Sequence, residues 1–135
     1  MDLFKRLRTM RILLVDDDEW IRDSLSMFFG EEGCELVGLA NAEEAVQALA
    51  RETYDIIISD YKLPGMDGLD FFRLTAKSHP AVMKILITAY GSEELFREAS
   101  KLGVQDLILK PLTVDAIEKS LSTILEKMEI PETEN

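Results

Sequence analysis

The chain has 135 residues, of which 47% are hydrophobic and 30% charged, and it carries a formal net charge of −11. That length suits one domain that buries a core without covalent staples, and the lone Cys34 excludes an internal disulfide, as in a reducing, cytoplasmic setting. The acidic balance opposes direct nucleic-acid binding, and no apolar run approaches the roughly 20 residues of a membrane span.

The opening stretch, "MDLFKRLRTMR", holds four basic side chains and one acid. Residues 1–9 are expected to form a solvated basic extension rather than a membrane-surface or partner helix. Five short apolar runs then read as buried strands: Arg11–Asp16, Glu35–Ala40, Asp55–Asp60, Lys84–Thr88 and Val104–Lys110. Between and after them, apolar residues recur at helical spacing. The stripes are Ile21, Leu25, Phe28 and Phe29; Ala42, Ala45, Val46 and Leu49; Leu69, Phe72 and Ala76; Leu95, Phe96, Ala99 and Leu102; and Ile117, Leu121, Ile124, Leu125 and Met128. Asn41, Ser92 and Thr113 stand where helix N-caps belong, Asp18 and Glu19 suit the opening of the first helix, and Gly33 and Gly103 follow helix ends. Trp20, Cys34, Phe28–Phe29 and Phe71–Phe72 read as packing residues, and His79 as an ordinary loop residue. The polar end, 129–135, reads as a frayed tail. Five βα units in succession predict a single α/β domain whose parallel sheet is covered by helices on both faces.

In such a sheet ligands bind beyond the carboxyl ends of the strands. Those ends deliver Asp16 and Asp17, then Asp60, Thr88 and Lys110. Carboxylates gathered in one pocket repel, and a single lysine offsets only part of that repulsion. Oxygen ligands without a usable His or Cys suit a hard divalent ion, foremost Mg²⁺. A metal beside a carboxylate, an ammonium and a hydroxyl describes a phosphoryl-binding pocket, in which Asp60 itself could attack phosphorus. The Pro64–Gly65 turn is expected to expose Asp60 and to bring the following carbonyls near the ion.

The pieces "ILLVDDDE", "IISDYKLPGMDG", "ILITAY" and "LILKP" occur in this order, each at a strand end. Over residues 10–128 the chain resembles the receiver domain of two-component response regulators. The resemblance implies a flavodoxin-like, doubly wound sheet of five parallel strands in the order 2-1-3-4-5, with five helices. It implies that Asp60 is the phosphoacceptor, that Asp17 binds Mg²⁺ directly and Asp16 mainly through water, and that the Lys62 carbonyl is a further metal ligand. Lys110 is then expected on the phosphoryl oxygens, with Thr88 hydrogen-bonding one of them. The Lys110–Pro111 peptide would be cis. The implied partners are a histidine kinase or phosphotransfer protein as donor, and an output partner, a missing effector domain or a second copy. Leu95–Lys101 and Asp115–Met128 are the implied contact surfaces.

Two features depart from the family pattern. Leu107 stands where an aromatic usually moves with the threonine, which leaves the switch route through Thr88 and Leu107 open. Lys62 and Tyr90 occupy the positions that flank the attacking water, and their bulk predicts slow loss of phosphate. Two other readings compete: a degenerate receiver that acts as an unphosphorylated scaffold, and a haloacid-dehalogenase-like phosphatase. The second requires a further acidic pair after the lysine strand, where only Asp115 stands.

Overall fold

The computed structural model describes residues 2–129, with side chains through Lys127; the Met128 side chain and the tail from 130 onward lie outside the described residues. Five parallel strands, β1 (Arg11–Val15), β2 (Glu35–Leu39), β3 (Ile56–Asp60), β4 (Met83–Thr88) and β5 (Val104–Leu109), lie in the order β2-β1-β3-β4-β5. Each agrees with its sequence expectation to within one residue at either end. The helices are α1 (Leu3–Leu7), α2 (Glu19–Glu31), α3 (Ala42–Arg51), α4 (Gly68–Ser78), α5 (Glu93–Lys101) and α6 (Val114–Glu129), one more than the five expected.

Alternation along the strands sorts the core into two layers. Ile12, Leu14, Ile56, Ile58, Ile85 and Ile87 pack against Leu25 and Phe29 of α2 and Ile117, Leu121, Ile124 and Leu125 of α6. Leu13, Val15, Ile57 and Leu86 face the opposite way, onto α3, α4 and α5 through Ala45, Leu49, Phe71, Phe72, Leu95 and Ala99. With helices on both faces, β3 is buried along its whole length, which explains its unbroken isoleucine run.

Helix starts follow the side-chain acceptors. Asp18 Oδ1 accepts the Trp20 and Ile21 amides, Asn41 Oδ1 accepts Glu44 N–H, Ser92 Oγ accepts Leu95 N–H and Thr113 Oγ1 accepts Ala116 N–H. Gly33 and Gly103 take left-handed φ values of 80° and 85° just past α2 and α5.

The solvated extension expected for the N-terminus does not hold. Leu7 of α1 is fully buried, Leu3 and Phe4 pack against the α2–α6 layer, and Phe4 meets Phe28 with ring centroids 5.9 Å apart. Arg6 Nη1 donates to the Leu125 carbonyl of α6 at 3.0 Å. Too short to persist alone, this helix exists because a groove receives its apolar side. Two large apolar residues also stand outside the core, the first against its reading as a packing residue. Trp20 is 74% exposed, and Phe96 of the fourth stripe lies mostly in solvent.

Candidate functional site

Register levels the strand ends. Val15 pairs with Ser59, Asp60 with Ile87 and Thr88 with Leu109, so Asp16 emerges beside Asp60, and Lys110 beside Thr88. Backbone bonds prolong the alignment: Asp16 N–H donates to the Leu39 carbonyl at 3.0 Å and Lys110 N–H to the Thr88 carbonyl at 2.8 Å.

One oxygen each from Asp16, Asp17 and Asp60 lies within 4.8 Å of the others. Asp60 is only 1% exposed, contrary to the expectation that its turn opens it to solvent. Lys110 Nζ donates to its Oδ2 at 2.7 Å. Asp16 is likewise buried, whereas Asp17 reaches solvent. Burial pushes the Asp16 carboxyl above its ordinary range; the Asp18 amide bonded to it at 2.9 Å pulls the other way, and the Asp60 charge adds to the rise. Burial alone would lower the Lys110 ammonium. The hydrogen bond and charge of Asp60, with Asp16 and Asp17 behind, outweigh it and hold the pKa above the usual lysine value.

The donor set suits a small hard cation. It contains only carboxylate oxygens, converging from two strand ends, and the exposed Asp17 side leaves room for retained waters. Lys62 sits exposed in the turn two residues beyond Asp60. Thr88 is buried at the end of β4, its Oγ1 accepting Tyr90 N–H at 3.2 Å and facing the Tyr90 carbonyl at 3.3 Å. The Tyr90 side chain itself is 85% exposed. Leu107 lies half-buried on β5 opposite Leu86, in the layer that faces α3–α5. Lys110–Pro111 is cis.

Sequence reasoning missed three supports. Arg22 of α2 donates from Nη1 to the Asp16 carbonyl at 2.9 Å, and Ser59 donates its hydroxyl to the Asp60 carbonyl at 3.0 Å. Gly68 begins α4 directly against the turn that follows Asp60: its N–H donates to the Tyr61 carbonyl at 2.8 Å, and a Cβ there would collide with the Asp60 carbonyl oxygen. The glycine was visible as turn punctuation, but its contact with residue 60 is a tertiary fact. Arg22 carried no local signal.

A doubly wound sheet with an acid cluster and a lysine at its carboxyl edge defines a flavodoxin-like domain with a cation-ready site. The chain belongs to the response regulator receiver domain family, whose model matches residues 12–122, and it is therefore a receiver domain of two-component signalling. It is similar to the response regulator protein FleR of Pseudomonas aeruginosa, at 37% identity over 79% of this chain and 23% of that one. It is also 31% identical to the sporulation initiation phosphotransferase F of Bacillus subtilis, over 85% of this chain and 93% of that protein. Among solved structures, the response regulator protein TrrA of Thermotoga maritima in complex with Mg²⁺–BeF superposes with a TM-score of 0.73 at 30% identity, covering 85% of this chain and 98% of that one. The chain spans about a quarter to a third of the length of FleR, PilR and YesN, the first curated relatives it matches. Among the described residues no helix is long and apolar enough to cross a membrane.

Proposed function

We propose that this domain takes a phosphoryl group onto Asp60 from a histidine kinase or phosphotransfer protein, and that the aspartyl phosphate alters what the domain binds. The observation that carries the reading is the Lys110–Asp60 contact at 2.7 Å inside the Asp16–Asp17–Asp60 cluster. A buried carboxylate hydrogen-bonded to an ammonium and flanked by two more acids is an arrangement for charge that arrives with a ligand.

Asp16, Asp17 and Asp60, together with the Lys62 carbonyl, would hold Mg²⁺, which when bound supplies positive charge against the phosphoryl oxygens. One Asp60 oxygen attacks phosphorus, the bond from phosphorus to the donor nitrogen breaks, and that nitrogen keeps the electron pair. Lys110 then moves its hydrogen bond from the carboxylate to a phosphoryl oxygen. The Thr88 hydroxyl releases the Tyr90 backbone to bond another, and Leu107 repacks as Thr88 moves. Lys62 and Tyr90 flank the approach of hydrolytic water and slow the loss of phosphate. In this reading the domain modifies itself and acts as a switch, not as a turnover enzyme, in the cytoplasm. A partner, an effector domain or a second copy would read the state on α5, β5 and α6, where Phe96 and Leu109 lie exposed. Its relatives named as transcriptional regulators support an output of that kind.

Intact mass after acetyl phosphate and Mg²⁺ decides the matter. The parent gains one phosphoryl group and Asp60→Asn gains none. A parent of unchanged mass leaves the scaffold reading standing instead.

A further inference from the structure

The segment that follows Asp60 is anchored at its two ends. Tyr61 N–H donates to the Ile87 carbonyl at 2.7 Å, and the Tyr61 carbonyl accepts Gly68 N–H at 2.8 Å. Between them, residues 62–66 make one described hydrogen bond to another element: Glu43 Oε2, from the first turn of α3, accepts Met66 N–H at 3.1 Å. Gly65 takes a φ of 79°, and a Cβ on it would stand 2.8 Å from the same Glu43 oxygen, so the carboxylate lies flat against the turn. The sequence marked Gly65 only as part of a turn and gave Glu43 no role.

We propose that Glu43 is a positioning residue for the metal site. By holding Met66 and Gly65, it fixes the path of residues 62–64 and so the direction of the Lys62 carbonyl. The inference rests on the reading that this carbonyl faces Mg²⁺. A first-turn acid is ordinarily a partner for the helix dipole. That role needs no bond to a loop 23 residues away in sequence, and it would be felt as helix stability rather than as metal affinity. The bond to a charged acceptor gives the loop one preferred conformation before any ion arrives, so less ordering remains for binding.

The test uses the whole chain with Glu43→Ala and Glu43→Gln, the latter keeping an acceptor oxygen without the charge. In the metal-free protein, Met66 amide exchange should quicken about fivefold in Glu43→Ala, the loss expected for one exposed hydrogen bond. The Mg²⁺ dissociation constant, followed by Trp20 fluorescence, should rise by about the same factor. Folding stability in urea should fall by no more than that fivefold factor, about 1 kcal/mol, and Glu43→Gln should stay closer to the parent than Glu43→Ala in every arm. At saturating Mg²⁺, phosphate uptake from acetyl phosphate should return to the parental rate in Glu43→Ala. Unchanged Met66 exchange or unchanged Mg²⁺ affinity in Glu43→Ala overturns the proposal. So does Glu43→Gln weakening Mg²⁺ as much as Glu43→Ala, because charge and not the tether would then be responsible. A parent that binds Mg²⁺ but takes up no phosphate refutes the phosphoacceptor reading alone, and the exchange and Mg²⁺ arms still judge Glu43.

Discussion

Asp16→Asn tests the electrostatic core of the site with little change of shape. The amide oxygen can still accept the Asp18 N–H that Asp16 Oδ1 now takes, and the Arg22 bond goes to the backbone carbonyl, which the substitution leaves in place. What disappears is one buried negative charge with two like charges close by. Unit charges 4.8 Å apart repel by about 3.5 kcal/mol at an effective dielectric constant near 20. Asp17 is exposed, so water and salt screen most of its share, and Lys110 at 2.7 Å offsets much of the Asp60 charge. A net repulsion of about 1–3 kcal/mol is left for Asp16 in the metal-free domain. Urea unfolding in EDTA at pH 7 should therefore show Asp16→Asn more stable than the parent by that amount. With Mg²⁺ the order should narrow or reverse, since the parent gains about 2.7 kcal/mol at a hundredfold excess over its dissociation constant and the variant gains much less. A variant that is no more stable than the parent in EDTA, or that gains as much from Mg²⁺, would refute the reasoning.

Lys84 offers a second charge to weigh, far from the carboxyl ends of the strands. It is 2% exposed, its Nζ donates to the Val82 carbonyl at 3.0 Å, and no carboxylate pairs with it among the described residues. Burial lowers its pKa below the ordinary lysine value. Between the folded and the unfolded pKa the unfolded chain holds more protons, so stability rises with pH in that window, and below the folded pKa the full cost remains. Lys84→Met should raise stability at pH 7 by about 1 kcal/mol and flatten the rise that the parent shows as pH climbs toward 10.5; an unchanged slope in paired urea titrations counts against it. Leu7→Ala should cost about 2–4 kcal/mol by differential scanning calorimetry, since the side chain is fully buried, whereas a solvated N-terminus would show almost no change. Phosphorylated Lys62→Asn and Tyr90→Ala should each lose phosphate several-fold faster than the parent by timed intact mass, and equal half-lives would remove both residues from that role.

The strands were legible because their ends are decided locally. Ile56–Ile58 must be buried on both sides, and the chain turns polar at Ser59 and Asp60, so the boundary shows in the residues themselves. The helix caps are equally local, with Asn41 and Ser92 bonding amides three residues ahead. The first helix was not legible, because α1 has only five residues and too little periodicity to show a stripe. Its fold depends on Phe28, Phe29 and α6, which lie elsewhere in the chain. Trp20 failed for the opposite reason. Hydrophobicity says what a side chain prefers, but α2 turns residue 20 away from the sheet once Leu25 and Phe29 face it. For the site, the charges and their convergence followed from strand ends alone. The burial of Asp60 did not, since a strand end carries no local record of what packs over it.

The two kinds of support divide the labour of the site unequally. Asp16, Asp60 and Lys110 emerge from parallel strands whose register is fixed by ladder bonds and by the core beneath, so their separation is set before any ligand is present. Residues 62–66 have no ladder, and one carboxylate from α3 restrains them. Charge brought into the cluster is thus met by a rigid set of acids and a loop held by a bond worth about 1 kcal/mol. Because the sheet cannot give, adjustment to a ligand must fall on that loop and on the Thr88–Tyr90 turn, whose hydroxyl bonds are long and lie at the end of β4. The same unevenness explains why a receiver can change state without unfolding its core: the parts that must move are the ones the strands do not hold.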